Sequence, residues 1–248
     1  MRAIASVLLA LMIPSAFAEC AAKSTSRATP LVELYTSEGC SSCPPADLWF
    51  STLRAQADAG TVVPIAFHVD YWNNLGWKDA YSDARFTQRQ RNFAHAAGAR
   101  FVYTPQVVLA GRDFPDWRGG AAAKALEASR AQPARAELEI AGSATSPRVV
   151  ATLAPGTRVE DLALVVAVTQ DGVETKVKAG ENRGETLRHD FVARDVQVER
   201  GWTSGAKPSI DTRMQFTPRP DWKADRMRVV AFVQDTRTGQ VLQSLACR

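Results

Sequence analysis

The chain has 248 residues and a formal charge of +4 at pH 7, with 30 basic and 26 acidic side chains scattered along it. This near-neutral balance, with no basic run interleaved with aromatic residues, argues against a partner that is a nucleic acid or a membrane surface. The length is sufficient for one large hydrophobic core or two modest ones.

The first 18 residues have the pattern of a secretory signal peptide. Arg2 gives a short basic end, residues 3–13 are apolar, and Ala16-Phe17-Ala18 is a small-x-small cleavage site. We expect cleavage after Ala18, which predicts a periplasmic or secreted protein with no membrane span after cleavage. The alternative is an uncleaved anchor, although the apolar stretch is short for a bilayer. Residues 19–30, which are mostly small and polar, predict a flexible lead-in.

Residues 31–132 alternate between strand and helix patterns and predict an α/β domain. The apolar runs Leu31–Thr36 and Thr61–Val69 predict strands, and apolar positions on one face between Ala46 and Ala57 predict a helix. The other predicted elements are a long helix that begins near Asp79 or Ser82 and ends before Gly98, a strand over 102–111 and a helix over 119–131. The stretch 70–98 is read as a helical insertion.

After Pro133 the helical period disappears and short β-type runs recur. Tight turns are predicted at Asp171-Gly172 and Thr238-Gly239. The predicted strands are 137–140, 148–153, 162–169, 173–178, 191–198, 212–217, 227–234 and 240–245. This pattern predicts a β-sandwich over residues 136–248, separated from the first domain near residues 132–135.

A C-x-x-C motif, Cys40-Ser41-Ser42-Cys43, lies between the first predicted strand and the helix that follows it. The two sulfurs are close enough to form a disulfide, and the positive end of the helix dipole favours a thiolate there. We therefore predict a thiol–disulfide oxidoreductase that acts on protein or small-molecule thiols and needs no cofactor. Cys40, taken as the more exposed sulfur, would attack the partner, and Cys43 would resolve the mixed disulfide.

Nearby residues are expected to tune this chemistry. The hydroxyls of Ser41 and Ser42 could donate to the Cys40 thiolate, whereas the negative charge of Glu38 would oppose it. Glu33 on the preceding strand would relay a proton for Cys43 if it is buried. The equally open alternative is that Glu33 is an exposed strand acid.

Other interpretations of the cysteines stay open at this point. Cys40 and Cys43 could form a structural disulfide, or they could bind copper(I) together with His68, since thiolate and imidazole ligands suit that ion. Zinc would lack two of its four ligands. Cys20 and Cys247, near the two ends of the chain, predict a structural disulfide, and the alternatives are two unpaired thiols or a bond to another molecule.

The order of elements resembles the thioredoxin fold, which implies a thioredoxin-like domain over 31–132. In that fold the proline of the Thr104-Pro105 step is cis and faces the active-site cysteines, so Thr104 and Pro105 join the candidate site. Several segments also resemble the exported bacterial proteins of the family called domain of unknown function 1223. These segments are 32–47, 68–72, 76–79, 103–106 and 180–184.

The family resemblance implies a thioredoxin-like protein of the cell envelope but no particular reaction. It leaves room for a non-catalytic interaction module. The loop from Gly180 to Asp190 could touch the active face as a family-like motif, although as a polar stretch it predicts a solvated connection. Likewise, the aromatic loop from Tyr71 to Trp77 could form a substrate groove or simply fill the core.

Overall fold

The structure is a computed structural model that describes residues 17–248. The predicted signal peptide therefore lies, apart from its last two residues, outside the described residues. The protein is a mixed α/β protein in which strands predominate. Within residues 17–248, no helix has the length and apolar character needed to cross a bilayer.

The described residues contain fewer helices than strands. They are α1 Pro44–Ser51, α2 Arg54–Asp58, α3 Ala84–Ala96 and α4 Gly120–Arg130, with a 3-10 turn at Ala224–Arg226. The strands are β1 Glu19–Lys23, β2 Leu31–Thr36, β3 Val63–His68, β4 Gln106–Leu109, β5 Arg112–Asp113, β6 Ala136–Ser143, β7 Ser146–Leu153, β8 Leu162–Gln170, β9 Val173–Lys176, β10 Thr186–His189, β11 Val192–Glu199, β12 Ser209–Arg213, β13 Met227–Asp235 and β14 Val241–Cys247.

An eight-stranded sheet runs through the molecule in the order β14-β13-β8-β11-β3-β2-β4-β5. β2 and β3 are parallel, and β3 meets β11 in parallel through the pair Ala66 and Val192. The other neighbours are antiparallel. Strands from both sides of the predicted boundary at 132–135 thus share one sheet, while the division into two domains stays a prediction.

Both faces of this sheet are covered, which explains why β2, β3 and β8 are buried at every position. Helix α3 packs on one face, over a core that includes Phe67, Phe86 and Phe232. Helix α1 packs on the other face, where Phe50 meets Phe191. A second sheet, β1-β6-β7-β12, covers the end formed by β8 and β13, and the apolar side chains between the two sheets form a third core.

The predicted flexible lead-in is wrong for residues Glu19–Lys23. They form β1, which pairs antiparallel with β6 from Glu19 opposite Ser143 to Lys23 opposite Glu139. The strand is exposed or half-buried along its whole length, and only Cys20 and Ala22 pack against the core between the two sheets, so its sequence gives a weak strand signal. Backbone pairing with β6 and the Cys20–Cys247 disulfide hold it in place.

The predicted helices differ from the observed ones mainly at their ends. The helix expected over 46–57 is two short helices, α1 and α2. The long helix begins after Asp83, whose carboxylate accepts a hydrogen bond from the Arg85 N–H, and not at Asp79 or Ser82. The predicted strands after Pro133 correspond to observed strands with shifted ends, but β10 was missed.

Candidate active site

The C-x-x-C motif connects β2 to α1, and its cysteines form a disulfide, Cys40–Cys43. Cys43 is the N-cap of α1, and Pro44 and Pro45 occupy the first helical positions, where a missing N–H leaves nothing unsatisfied. The Ser42 Oγ lies 3.3 Å from the Cys40 Sγ. The predicted contact of a serine hydroxyl with this sulfur is therefore present for Ser42.

Both sulfur-bearing residues are completely buried, with 0% of Cys40 and 0% of Cys43 exposed. The prediction that Cys40 is the more exposed cysteine is wrong for this disulfide-bonded form. Only Ser41 and Ser42, between them, reach the surface. A reagent in solution therefore cannot reach the disulfide until something moves.

A turn formed by residues 180–184, here called the covering turn, lies on the C-x-x-C loop. The Asn182 Nδ2 donates to the Glu38 carbonyl at 2.9 Å and to the Cys40 carbonyl at 3.0 Å. The Ser41 N–H donates to the Glu181 carboxylate at 3.0 Å, and hydrogen bonds from Ser41 lower the pKa of Glu181. The covering turn therefore fastens itself to the backbone on both sides of Cys40.

The prediction of a solvated connection over 180–190 is wrong for its central and final residues. Asn182 and His189 are buried, and β10 pairs with β9 in a two-stranded sheet that carries the covering turn. Gly180 has a φ of +75°, and a Cβ at that position would lie 3.1 Å from the Cβ of Trp77. A glycine is needed there because the turn packs directly on the aromatic loop.

Five ionisable side chains form what we call the buried cluster next to the disulfide: Glu38, Asp47, His68, Asp79 and His189. All are at least 95% buried. The His189 Nε2 lies 3.7 Å from the Glu38 Oε1, and its Nδ1 lies 3.6 Å from the Asp47 Oδ2. The His68 Nδ1 contacts the Asp79 Oδ2 at 2.7 Å, and the two imidazole rings meet edge-on at 4.8 Å.

Much of the buried cluster has no hydrogen-bond partner among the described residues. The atoms concerned are the Glu38 Oε1, the Asp47 Oδ2, the His68 Nε2 and both ring nitrogens of His189. Each buried polar atom without a partner destabilises a fold by about 1–3 kcal/mol. Such a concentration is unusual in native proteins and is typical of a functional site.

His68 and Asp79 hold opposite charges in this environment. Burial acts to lower the pKa of His68, but the charge and hydrogen bond of Asp79, helped by Asp47 and Glu38, raise it overall. Burial acts to raise the pKa of Asp79, but His68 and the backbone N–H groups of Glu38 and Tyr81 lower it overall. The pair is therefore ionised together in the range between these two pKa values.

The aromatic loop is hydrogen-bonded to the site. The Trp72 Nε1 donates to the Thr104 Oγ1 at 2.8 Å, and the Trp77 Nε1 donates to the Glu38 Oε2 at 2.8 Å. The Thr104-Pro105 peptide bond is cis, as the resemblance implied. The two tryptophans thus link the C-x-x-C loop to the Thr104-Pro105 step.

Glu33 is buried, but it lies on the other side of the sheet from α1. Its neighbours Val32 and Leu34 pack with α1, whereas the Glu33 carboxylate faces α3 and pairs with Arg89 and the Tyr35 hydroxyl. Alternate residues of a strand point to opposite faces, so the sheet separates Glu33 from Cys43. We therefore do not retain the relay role predicted for Glu33.

The alternative copper site would need Cys40, Cys43 and His68 to meet. Among residues 17–248, no group of three or more His, Cys, Asp or Glu side chains is arranged to hold a metal ion. In this form the two sulfurs are bonded to each other, and one nitrogen of His68 is occupied by Asp79.

Cys20 and Cys247 form the second disulfide, as the sequence predicts. The bond joins β1, at the edge of the four-stranded sheet, to β14, at the edge of the eight-stranded sheet. It therefore ties the two sheets together at the β14 edge, whereas α1 follows β2 near the opposite edge of the eight-stranded sheet.

Several residues of the site were not recognised from the sequence. Asp47 could have been found, because it follows Cys43 by four residues on a helix and so shares its face. Asp79 and His189 lie in segments that the sequence singled out, 76–79 and the loop 180–190, but nothing local placed their side chains beside Asp47. Only the folded chain brings the three together.

The fold and site define a mixed α/β protein with a buried C-x-x-C disulfide at a helix N-terminus, next to a buried cluster of ionisable residues. More specifically, the chain belongs to the family described as protein of unknown function DUF1223, whose model matches residues 31–234. No curated protein matches this chain significantly.

Two solved structures share the fold at low sequence identity. One is the X-ray crystal structure of protein AGR_C_4864 from Agrobacterium tumefaciens, with 23% identity and a TM-score of 0.63, covering 90% of this chain and 95% of the other. The other is HBP35 of Porphyromonas gingivalis, with 11% identity and a TM-score of 0.63, covering 90% of this chain and 75% of the other. At these identities the similarity concerns the fold alone.

Proposed function

We propose that this protein is a thiol–disulfide oxidoreductase of the bacterial cell envelope that works through Cys40 and Cys43. The observation that carries the proposal is the position of the Cys40–Cys43 disulfide, at the start of α1 and beside a buried cluster whose polar atoms are largely unpartnered. A helix N-terminus stabilises a thiolate, and ionisable neighbours can exchange protons with it.

The same proposal includes a thioredoxin-like unit over 31–132 followed by a β-sandwich over 136–248. Its support is the parallel pair β2 and β3, the antiparallel strand β4 entered through a cis proline, and α1 directly after the cysteines. The packing of the four-stranded sheet on β8 and β13 supports the sandwich.

The reaction exchanges one disulfide for another. A partner thiolate attacks the Cys40 Sγ, the Cys40–Cys43 bond breaks, and its electron pair leaves on the Cys43 Sγ, which takes up a proton. The partner's second thiolate then attacks the mixed disulfide at the partner's sulfur and releases Cys40. The partner is oxidised from two thiols to a disulfide, and the protein is reduced from a disulfide to two thiols; the reverse sequence reduces a partner.

A purely structural role fits this bond less well. The chain-entropy model gives a disulfide that closes a loop of about four residues only about 2 kcal/mol of stabilisation. The buried, unpartnered atoms beside the bond oppose stability as well. Placement in the periplasm or outside the cell also belongs to the proposal, and its support is the signal-peptide pattern of the first 18 residues.

The first prediction concerns trapping of a partner. A Cys43→Ser variant keeps Cys40 but cannot resolve a mixed disulfide, so it should accumulate disulfide-linked species with envelope proteins or with glutathione. Non-reducing gels and mass spectrometry would detect these species, and dithiothreitol should release the partner by reducing the mixed disulfide. The matched control, Cys40→Ser, should trap little. Equal trapping by both variants, or by neither, would contradict the proposed function.

A further inference from the structure

His189 faces the active-site helix from the C-terminal part of the chain, and its two ring nitrogens point at two carboxylates. Glu38 precedes the C-x-x-C motif and Asp47 follows it. Neither nitrogen has a hydrogen-bond partner among the described residues, and only 2% of His189 is exposed. An imidazole in such a place can take or give a proton on either side without losing an existing hydrogen bond.

Asp47 connects this imidazole to the cysteines. Cys43 has α-helical backbone angles, and the Asp47 N–H donates to the Cys43 carbonyl at 3.1 Å, so the two residues are one helical turn apart. Side chains four residues apart share a helix face, and both of these are buried. Asp47 is thus the carboxyl group placed next to Cys43 on its own helix.

The burial of the disulfide creates a need for such a site. Breaking the Cys40–Cys43 bond leaves the electron pair on Cys43, and an isolated buried thiolate is unfavourable. Both cysteines are fully buried, so bulk water does not reach them directly. A proton donor inside the fold would remove this barrier.

From these contacts we propose, as an extension that rests on the proposed function, that His189, Asp47 and Glu38 form a proton-transfer site for Cys43. When Cys43 leaves Cys40, its sulfur takes a proton from Asp47, and Asp47 regains one from His189. His189 is reprotonated through Glu38 with the proton that the partner's thiol released. When the two thiols of the protein are oxidised back to the disulfide, the protons move the opposite way.

Titratable groups face His189 from several elements of the fold. They are Glu38 from the loop after β2, Asp47 from α1, His68 from β3 with its partner Asp79, and Tyr81, whose ring lies 6.4 Å away. In this scheme Asp47 is a catalytic residue, because it gives its proton to the Cys43 sulfur. His189 acts through Asp47 and is a positioning residue.

The experiment measures reduction of the Cys40–Cys43 bond by dithiothreitol between about pH 5 and 9. Each rate constant is divided by the fraction of dithiothreitol present as thiolate. In the wild type this corrected rate constant should fall as the pH rises, because the proton donor is lost. In His189→Gln and Asp47→Asn it should be lower by about tenfold or more at low pH and nearly independent of pH, since general acid catalysis contributes at least about a hundredfold in many enzymes.

His95→Gln, which changes an exposed histidine on α3, is the matched control and should behave like the wild type. A merely structural role for His189 would shift the corrected rate by the same factor at every pH. If a variant does not fold, the wild-type profile alone decides: a flat corrected profile overturns the proton-transfer site. If Cys43→Ser traps no partner and dithiothreitol does not reduce the Cys40–Cys43 bond, the proposed function itself is refuted. This outcome differs from a flat corrected pH profile, which overturns only the proton-transfer site.

Discussion

His68 and Asp79 form a fully buried ion pair that holds the segment after the aromatic loop against the residues before the C-x-x-C motif. The Asp79 carboxylate also accepts the Glu38 N–H at 2.9 Å and the Tyr81 N–H at 2.8 Å. One side chain therefore connects His68 on β3, Tyr81 after the aromatic loop, and Glu38, which precedes the C-x-x-C motif by two positions. The loss of this carboxylate would leave a buried imidazole and two backbone N–H groups without an acceptor.

The second prediction is that Asp79→Asn destabilises the fold in a pH-dependent way. Because the pKa of His68 is raised above its ordinary value of 6.5, its contribution is complete below that value and is lost as the pH rises through the raised pKa. Because the pKa of Asp79 is lowered below 3.8, its contribution is present above that value and is lost as the pH falls through the lowered pKa. The loss should be on the order of 3–5 kcal/mol near pH 5–6 and smaller at high pH.

Urea unfolding across this pH range measures the effect. The matched control is Asp211→Asn, which breaks an exposed pair with Arg148 and should change the free energy of unfolding by less than about 1 kcal/mol. A loss that is the same at every pH, or no larger than in the control, would be inconsistent with a buried ion pair.

The hairpin formed by β9 and β10 lies against the C-x-x-C loop. It belongs to neither large sheet, and its covering turn contacts the C-x-x-C loop through Glu181 and Asn182. At its base, Arg54 at the start of α2 pairs with Asp171 and Asp190. Under the proposed function, a partner that attacks Cys40 is expected to displace the covering turn, which a few hydrogen bonds hold, whereas ion pairs hold the base of the hairpin.

The third prediction is that Asn182→Ala speeds reduction of the disulfide. It removes the side-chain donor to the Glu38 and Cys40 carbonyls, which weakens the closed state by about 1–3 kcal/mol. Reduction by dithiothreitol through the open state should become roughly tenfold faster, since about 1.4 kcal/mol corresponds to a factor of ten. Alkylation of the released thiols followed on gels gives the rate. Asn92→Ala on the exposed side of α3 is the control, and an Asn182→Ala rate equal to the wild-type rate would show that the turn does not limit access.

For the molecule as a whole, the Cys20–Cys247 bond joins the edges of the two large sheets. The fourth prediction compares the two disulfides by equilibrium unfolding. The chain-entropy model gives a stabilisation of up to about 5 kcal/mol for the bond between residues 227 apart and about 2 kcal/mol for the bond between residues 3 apart. The double variant Cys20→Ser/Cys247→Ser should therefore lose more stability than the double variant Cys40→Ser/Cys43→Ser. The opposite order would mean that the Cys40–Cys43 bond is the structural one.

Local features of the sequence account for what was predicted correctly. The runs after Pro133 have the period and composition of strands, and these properties belong to the segments themselves. The order of the eight-stranded sheet could not be predicted, because the parallel contact of β3 with β11 joins residues more than a hundred positions apart through a single Cα pair. Strand β1 was missed for a related reason, since its pairing with β6 uses backbone groups that every sequence offers.

Four features could be predicted from the order of residues: the C-x-x-C motif, its place between a strand and a helix, the cysteines at the two chain ends and the Thr104-Pro105 step. These are features of short segments, whose chemistry is visible in the order of residue types. Three others depend on the folded chain: the burial of Cys40 and Cys43, the orientation of Glu33 toward α3, and the approach of His189 to Glu38 and Asp47. The burial of a residue and its contacts with other ionisable groups depend on which distant segments pack together. These properties arise only when the sheet and the hairpin pack around the motif.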